Sequence, residues 1–459
     1  MIPIETAWWG ALVLIVSIWA IVLRRSGPYV AFGVAIVLSF LAPGWIEMEF
    51  LGLPFDVRLS VAIVALTGYG LHPDSRIWTP LTLPDLVIAA MMTLHIVSDL
   101  VVEGFSWSIL LRAYGEWTLP FYAGRYAVRN QQELRKIAPW VMVVLGLLSV
   151  EAIIEVLTGI NLWEVLFARK AGDFVPDLGR RWGFMRASGT AINPIFYAMI
   201  LLLLLPWVSV TYSNPQSRGR RWKAAIVTIL SVLGMCATIS RGPIAGLIIA
   251  IASYGVIRWR PLRWIVATLL TVTVICSVIW PKEVLDLTRM GVQDQHRNQE
   301  VVELDGEELE YSGSLTRILL FRAYSRALRN AGFLGYGTEA VRDFPPNIPH
   351  LPRKSEAIYL MRHVDNAYVL IGLRFGWLGI ATFCLLPLTT FWTAIVLAQT
   401  SDLRGVCTWY AAVMAGAAAV LLTVYFAHDF GFVFLWSCGI VSGLATAAVQ
   451  SRRGESPSA

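Results

Sequence analysis

About thirteen apolar runs divide this chain of 459 residues, and no other feature constrains its fold as tightly. They fall at roughly 7–23, 28–45, 58–71, 84–102, 105–124, 137–157, 190–211, 224–239, 243–257, 264–280, 370–398, 406–427 and 430–449. Stretches of roughly 17–25 apolar residues match a hydrocarbon core about 30 Å thick. In lipid every backbone polar group needs an internal partner, and no alternating strands recur, so the runs read as helices rather than barrel strands. The expected fold class is an all-α polytopic membrane protein with about 12–13 transmembrane helices and a large extracytoplasmic loop. Composition excludes the rival classes. Only 15% of residues are charged and 56% are hydrophobic, against about 25% charged in soluble domains. Aromatic residues reach 12%, too many for a disordered chain.

In a soluble protein the net charge of +6 would point to nucleic acid. Sorted by loop, it reads differently. Arg24/Arg25, Arg76, Arg125/Arg129/Arg135/Lys136, Arg218/Arg220/Arg221/Lys223, Arg258/Arg260/Arg263, Arg404 and Arg452/Arg453 fall on one side, while the opposing short loops carry little beyond Arg58. Cytoplasmic loops collect Lys and Arg, which puts the amino terminus outside and the carboxyl terminus inside. No nucleic-acid partner is expected. Glu5 rather than a basic cluster precedes the first run, so a cleavable signal peptide is not expected either. Within 105–124, Arg112 and Glu116 stand four apart, a spacing that pairs them on one helix face. The five cysteines are scattered through apolar runs and the six histidines lack ligand spacing, so neither a disulfide framework nor a metal site is expected. No Gly-rich phosphate loop or dinucleotide fingerprint is present, and no cofactor is implied.

This orientation leaves two long hydrophilic segments facing outward, about 158–189 and 281–365. The second begins acidic and then turns helical, with Leu315, Ile318, Leu319, Tyr324 and Leu328 forming an apolar stripe. Arg322, Arg326 and Arg329 recur at helical spacing beside it, and Gly332, Gly335 and Gly337 end the helix.

Three outward constellations carry the chemistry. Arg186-Ala187-Ser188-Gly189-Thr190 precedes Asn193-Pro194 at a helix start, where an anionic phosphate is welcome; a plain interface anchor is the simpler reading. Ser240-Arg241-Gly242-Pro243 forms a turn between two apolar runs too short to carry Arg241 far from the membrane, although snorkelling would also place it there. Arg362-His363-Val364-Asp365-Asn366-Ala367-Tyr368 precedes the span containing Arg374 and Gly376. His363 suits a general base that Asp365 could orient, while the bland alternative is a polar helix cap by Asp365 or Asn366. Several arginines without a metal cluster suit a pyrophosphate, because guanidinium binds its oxygens bidentately and stays charged.

In this order and spacing the Arg186 segment, the Arg241 turn, the stretch Arg322–Gly337 with Gly335-Tyr336-Gly337, and residues 363–379 resemble the O-antigen ligase and O-antigen polymerase superfamily. The resemblance covers roughly residues 180–400. It implies a metal-independent, inverting GT-C-type glycosyltransferase that takes glycan from undecaprenyl pyrophosphate to an acceptor hydroxyl, in lipopolysaccharide or exopolysaccharide synthesis. It also implies His363 as the catalytic residue and Arg186 and Arg241 as pyrophosphate ligands, with Arg322 and Arg326 as further candidates. Val364-Asp365 before Asn366 departs from the ligase pattern, which leaves ligase and polymerase both open and makes Asp365 a substitute base. The implied partners are undecaprenyl-pyrophosphate-linked oligosaccharide, a glycan or lipid acceptor and a chain-length regulator, at a bacterial inner membrane. Three segments are expected: amino-terminal helices (1–180), a ligase-like core with its loop at 281–365 (181–400), and carboxy-terminal helices (401–459). The rival class is a transporter or flippase of lipid-linked glycan or another anionic lipid, whose arginines would line a path.

Overall fold

The computed structural model describes residues 2–50, 53–72, 79–128, 130–167, 180–181, 183–212, 218–266, 268, 271, 300–304, 307–311, 315–342, 346–349, 364–400 and 403–452. Most of its helices follow the apolar runs: α1 (Ile4–Ser26), α2 (Pro28–Ser39), α3 (Val57–Gly70), α4 (Leu83–Glu103), α5 (Trp107–Ala113), α6 (Leu119–Ala127), α7 (Gln131–Thr158) and α8 (Leu162–Leu166). They continue as α9 (Pro194–Leu204), α10 (Pro206–Tyr212), α11 (Arg218–Ala237), α12 (Arg241–Arg258), α13 (Leu315–Asn330), α14 (Ala367–Thr400), α15 (Arg404–Val420) and α16 (His428–Arg452). Among the described residues, 7 helical stretches are long and apolar enough to cross a membrane, and α2 and α3 are shorter apolar helices. The chain is an all-α, multi-pass membrane protein. The run expected at 264–280 lies largely outside the described residues.

Local chemistry sets the helix ends. Asp56 caps α3 by accepting from Leu59 N at 2.7 Å, and Asn130 caps α7 by accepting from Glu133 N at 2.9 Å. Gly159 ends α7 with φ 70°, the left-handed conformation glycine adopts without penalty. Among the described residues, the strands form two-stranded hairpins: β1 (Glu47–Phe50) with β2 (Leu53–Asp56), β3 (Arg180–Arg181) with β4 (Phe184–Met185), and β5 (Glu300–Leu304) with β6 (Glu307–Tyr311). The last of these lies in the acidic stretch, and the Asp305-Gly306 dipeptide between its strands is the sequence signal for a hairpin.

Glycines set the closest helix crossings. A Cβ on Gly439 of α16 would fall 1.9 Å from the Phe121 carbonyl oxygen, and one on Gly124 of α6 would fall 2.0 Å from that of Trp436. Small residues let backbones approach where lipid offers no hydrophobic driving force between helices. Gly439→Val is therefore expected to force α6 and α16 apart at a cost of about 3 kcal/mol. Thermal unfolding in detergent reads this, and an unchanged midpoint would contradict the crossing.

Four charges sit differently from their sequence reading. Arg112 and Glu116 do not pair with each other. A π-helical turn (Tyr114–Thr118) joins α5 to α6 and rotates the face between them, so Arg112 meets Glu339 at 3.5 Å and Glu116 meets Arg374 at 3.2 Å. Arg125 is no loop charge. It is 3% exposed, its Nε lies 2.6 Å from Asp85 Oδ1, and it donates to Thr79 Oγ1 and the Pro80 carbonyl. Arg58 is likewise buried, against Asp429. Arg125 also donates to Ser442 of α16. At 1.5 Å per residue, Ser442 is roughly 20 Å along that helix from Asp429. Buried polar clusters thus occur at both ends of the bundle.

Candidate active site

The segment after β4 forms a strap across one end of the bundle. Arg186 Nε donates to the Thr238 carbonyl at 3.3 Å, and Arg186 Nη2 donates to Ser240 Oγ at 3.0 Å. Ala187 N donates to the Ala237 carbonyl at 3.2 Å, and Arg181 Nη1 donates to the Ile239 carbonyl at 3.1 Å. These bonds clasp the strap onto the turn between α11 and α12. Ile239 has φ 49° there, a conformation rare for a β-branched residue. Such a residue costs on the order of 1–3 kcal/mol and persists only where its surroundings over-determine it. Arg241 follows as the first residue of α12 and is exposed. Arg186 and Arg241 therefore share one turn, with the helix amino terminus and its dipole beside them.

A second group of bonds fixes the rest of the strap. Glu155 of α7, 1% exposed, accepts from Ser188 N at 3.1 Å and from Gly189 N at 2.8 Å. Gly44 N donates to the Thr190 carbonyl at 2.9 Å, and Asp429 Oδ2 accepts from Ile192 N at 2.9 Å. Gly189 has φ 50°, and a Cβ there would overlap the Tyr197 ring. No larger residue fits that position.

The connection from Leu421 to Ala427, between α15 and α16, gathers these parts together with His428 and Asp429 at the start of α16. Its Leu421 and Leu422 carbonyls accept from Ala367 N and Asn366 Nδ2, both at 2.9 Å. The Tyr425 ring meets Phe196 of α9 edge-on at 5.0 Å. Burial, with the Asp429 and Asp365 carboxylates nearby, holds the Tyr425 phenol well above its ordinary range. Arg58 Nη1 donates to the Asp429 carbonyl at 2.8 Å and lies 3.5 Å from its carboxylate, while Asp56 faces His428 at 3.3 Å. Burial pushes the Asp56 carboxyl up, but His428, Arg58 and the Leu59 N–H outweigh it and hold it below the usual range.

Asn366, not Asp365, caps α14, accepting from Val369 N at 3.1 Å. Asp365 instead lines a small cleft with Leu320, Tyr324, Val369 and Leu422. Tyr324 and Leu328 of the expected stripe are buried, whereas Arg322 and Arg326 are exposed on the other side of α13. His363 and Arg362 lie outside the described residues. Among the described residues, no group of three or more His, Cys, Asp or Glu could hold a metal ion.

The glycine turn after α13 docks into a break in α14. Gly376 has φ 66°, which interrupts the helical ladder. The orphaned Trp377 N and Leu378 N donate to the Gly332 and Phe333 carbonyls at 3.0 and 3.3 Å. The Leu373 and Arg374 carbonyls accept in turn from Tyr336 N at 2.8 Å and Gly337 N at 3.0 Å. These four backbone groups at the kink thus find partners in the turn.

A family model described as O-antigen ligase matches residues 226–384. That stretch is similar to the O-antigen ligase family. No curated protein gives a significant match to the chain. The matched stretch runs from within α11 to within α14, about a third of the chain. It holds Arg241, the docked glycine turn, Arg322, Arg326, His363 and Asp365. Arg186 and its supports Glu155, Asp429 and Arg58 lie outside it, so the strap is brought to the matched stretch by folding. Sequence reasoning passed over those supports. Glu151 and Glu155, four apart in an apolar run, were the available signal, because ionisable residues inside a span are rarely idle.

Proposed function

We propose that the protein is an envelope glycosyltransferase, an O-antigen ligase or polysaccharide polymerase. In this reading it moves glycan from undecaprenyl pyrophosphate to an acceptor hydroxyl at the extracytoplasmic face of a bacterial inner membrane. One observation carries the reading: Arg186 is clasped onto the turn that bears Arg241 in the stretch similar to the O-antigen ligase family. A clasped Arg186 guanidinium and a neighbouring Arg241 at a helix amino terminus suit the two phosphates of a leaving pyrophosphate.

The acceptor O–H attacks the anomeric carbon from the side opposite the pyrophosphate, which inverts that centre without a metal. The new C–O bond forms as the bond to pyrophosphate breaks, and the electron pair leaves with polyprenyl pyrophosphate. His363 takes the acceptor proton, with Asp365 as the substitute base. Arg186 and Arg241 stabilise charge as it develops on the departing oxygens, with Arg322 and Arg326 as candidates for the outer phosphate or glycan.

Purified protein in liposomes, given polyprenyl-pyrophosphate oligosaccharide and acceptor, is expected to form new glycosidic bonds. A ladder of repeat units would identify a polymerase, for which a chain-length regulator is the natural partner. One-step transfer of a preformed chain would identify a ligase. Movement of lipid-linked glycan across the bilayer with no bond formed would instead make the protein a flippase.

A further inference from the structure

We infer that Glu155 is a positioning residue for Arg186, acting through the strap rather than on the substrate; the inference rests on the pyrophosphate role proposed for Arg186. Glu155 sits in the last turn of α7, and its carboxylate gathers four donors. Oε1 accepts from Asn161 Nδ2 at 3.1 Å, Ser188 N at 3.1 Å and Ser188 Oγ at 3.2 Å, and Oε2 accepts from Gly189 N at 2.8 Å. Asn161, 3% exposed, is itself fixed, since its Oδ1 caps α8 and its Nδ2 also donates to the Gly189 carbonyl at 3.1 Å. The hydrogen bonds of Arg186 to Thr238 and Ser240 lie two residues away along the strap.

Burying a carboxylate is costly unless its charge is well solvated by the protein. Here the solvating groups are the strap's own backbone N–H groups, so the charge and the strap conformation stabilise each other. A glutamine of the same shape must turn an amide N–H₂ towards one of these donors, which unseats residues 188–189. Because the strap is continuous, Arg186 then loses its alignment on the α11–α12 turn. A residue serving general stability alone would show no such link to Arg186.

The test is a double-substitution cycle in the full-length purified protein, with two readouts. One is turnover on polyprenyl-pyrophosphate oligosaccharide, and the other is the rise in melting temperature caused by inorganic pyrophosphate. Glu155→Gln is expected to lower kcat at least about tenfold and to shrink the pyrophosphate-induced rise. In an Arg186→Lys background, itself impaired, Glu155→Gln should lower kcat less than about threefold further. Asp85→Asn, which breaks the buried pair at the other end of the bundle, should combine with Arg186→Lys multiplicatively. Should Glu155→Gln fail to fold, Ser188→Ala removes one donor from the same carboxylate and is expected to show the same coupling at smaller size. Full turnover in Glu155→Gln, or losses that multiply with Arg186→Lys as those of Asp85→Asn do, would overturn the inference. If the wild-type protein makes no glycosidic bond yet its pyrophosphate-induced rise is lost in both Glu155→Gln and Arg186→Lys, the glycosyltransferase reading fails and the positioning role stands.

Discussion

Arg186→Ala is expected to lower the rate of polyprenyl pyrophosphate release by about 10²–10³-fold while the helices fold normally. The magnitude is that of removing one fixed donor from a site where negative charge develops. Arg186 is held by Thr238 and Ser240, so its guanidinium is aligned before substrate arrives and no reorganisation is needed during the reaction. Its removal leaves the backbone clasp between Ala187 and Ala237 in place, which is why the fold should survive. Arg186→Lys keeps the charge but not the two-pronged geometry, and its rate should fall between the two. Initial rates at saturating donor, paired with melting temperatures, separate these outcomes. A rate within threefold of wild type in Arg186→Ala would remove Arg186 from the site.

The second large effect concerns stability. Asp429→Ala should cost about 3–5 kcal/mol, because it strands a buried cation and an N–H donor together. Arg58 has 1% side-chain exposure and the Asp429 side chain 4%, so water cannot replace the lost partner. Ile192 N would lose its acceptor in the same step. The double variant Arg58→Met with Asp429→Ala should recover part of the loss by removing the stranded charge. Thermal unfolding and folded yield after detergent extraction measure both. An Asp429→Ala protein as stable as wild type would show that Arg58 does not depend on this carboxylate.

The helices were legible because the apolar runs report the bilayer directly. The buried stripe of α13 and the glycine turn after it were legible too, since Tyr324, Leu328, Gly335 and Gly337 follow local periodicity and turn chemistry. Long-range partners were not. Nothing in the spacing of Arg112 and Glu116 betrays the π-helical turn that separates them. Arg125 counts as a topology-setting charge by its position along the chain, and only folding brings Asp85 and Ser442 to it. The strap is the clearest case. Arg186 was visible as a candidate, but Glu155, Gly44 and Asp429, which hold its strap, lie far from it along the chain.

The most direct measurement is single-turnover release of polyprenyl pyrophosphate from a polyprenyl-pyrophosphate oligosaccharide, comparing wild type with His363→Ala. The account predicts one polyprenyl pyrophosphate released per glycosidic bond formed by the wild type. It predicts loss of most turnover in His363→Ala, with an unchanged helical spectrum and melting temperature. Release at the wild-type rate in His363→Ala, or acceptor glycosylation without any polyprenyl pyrophosphate, would contradict it.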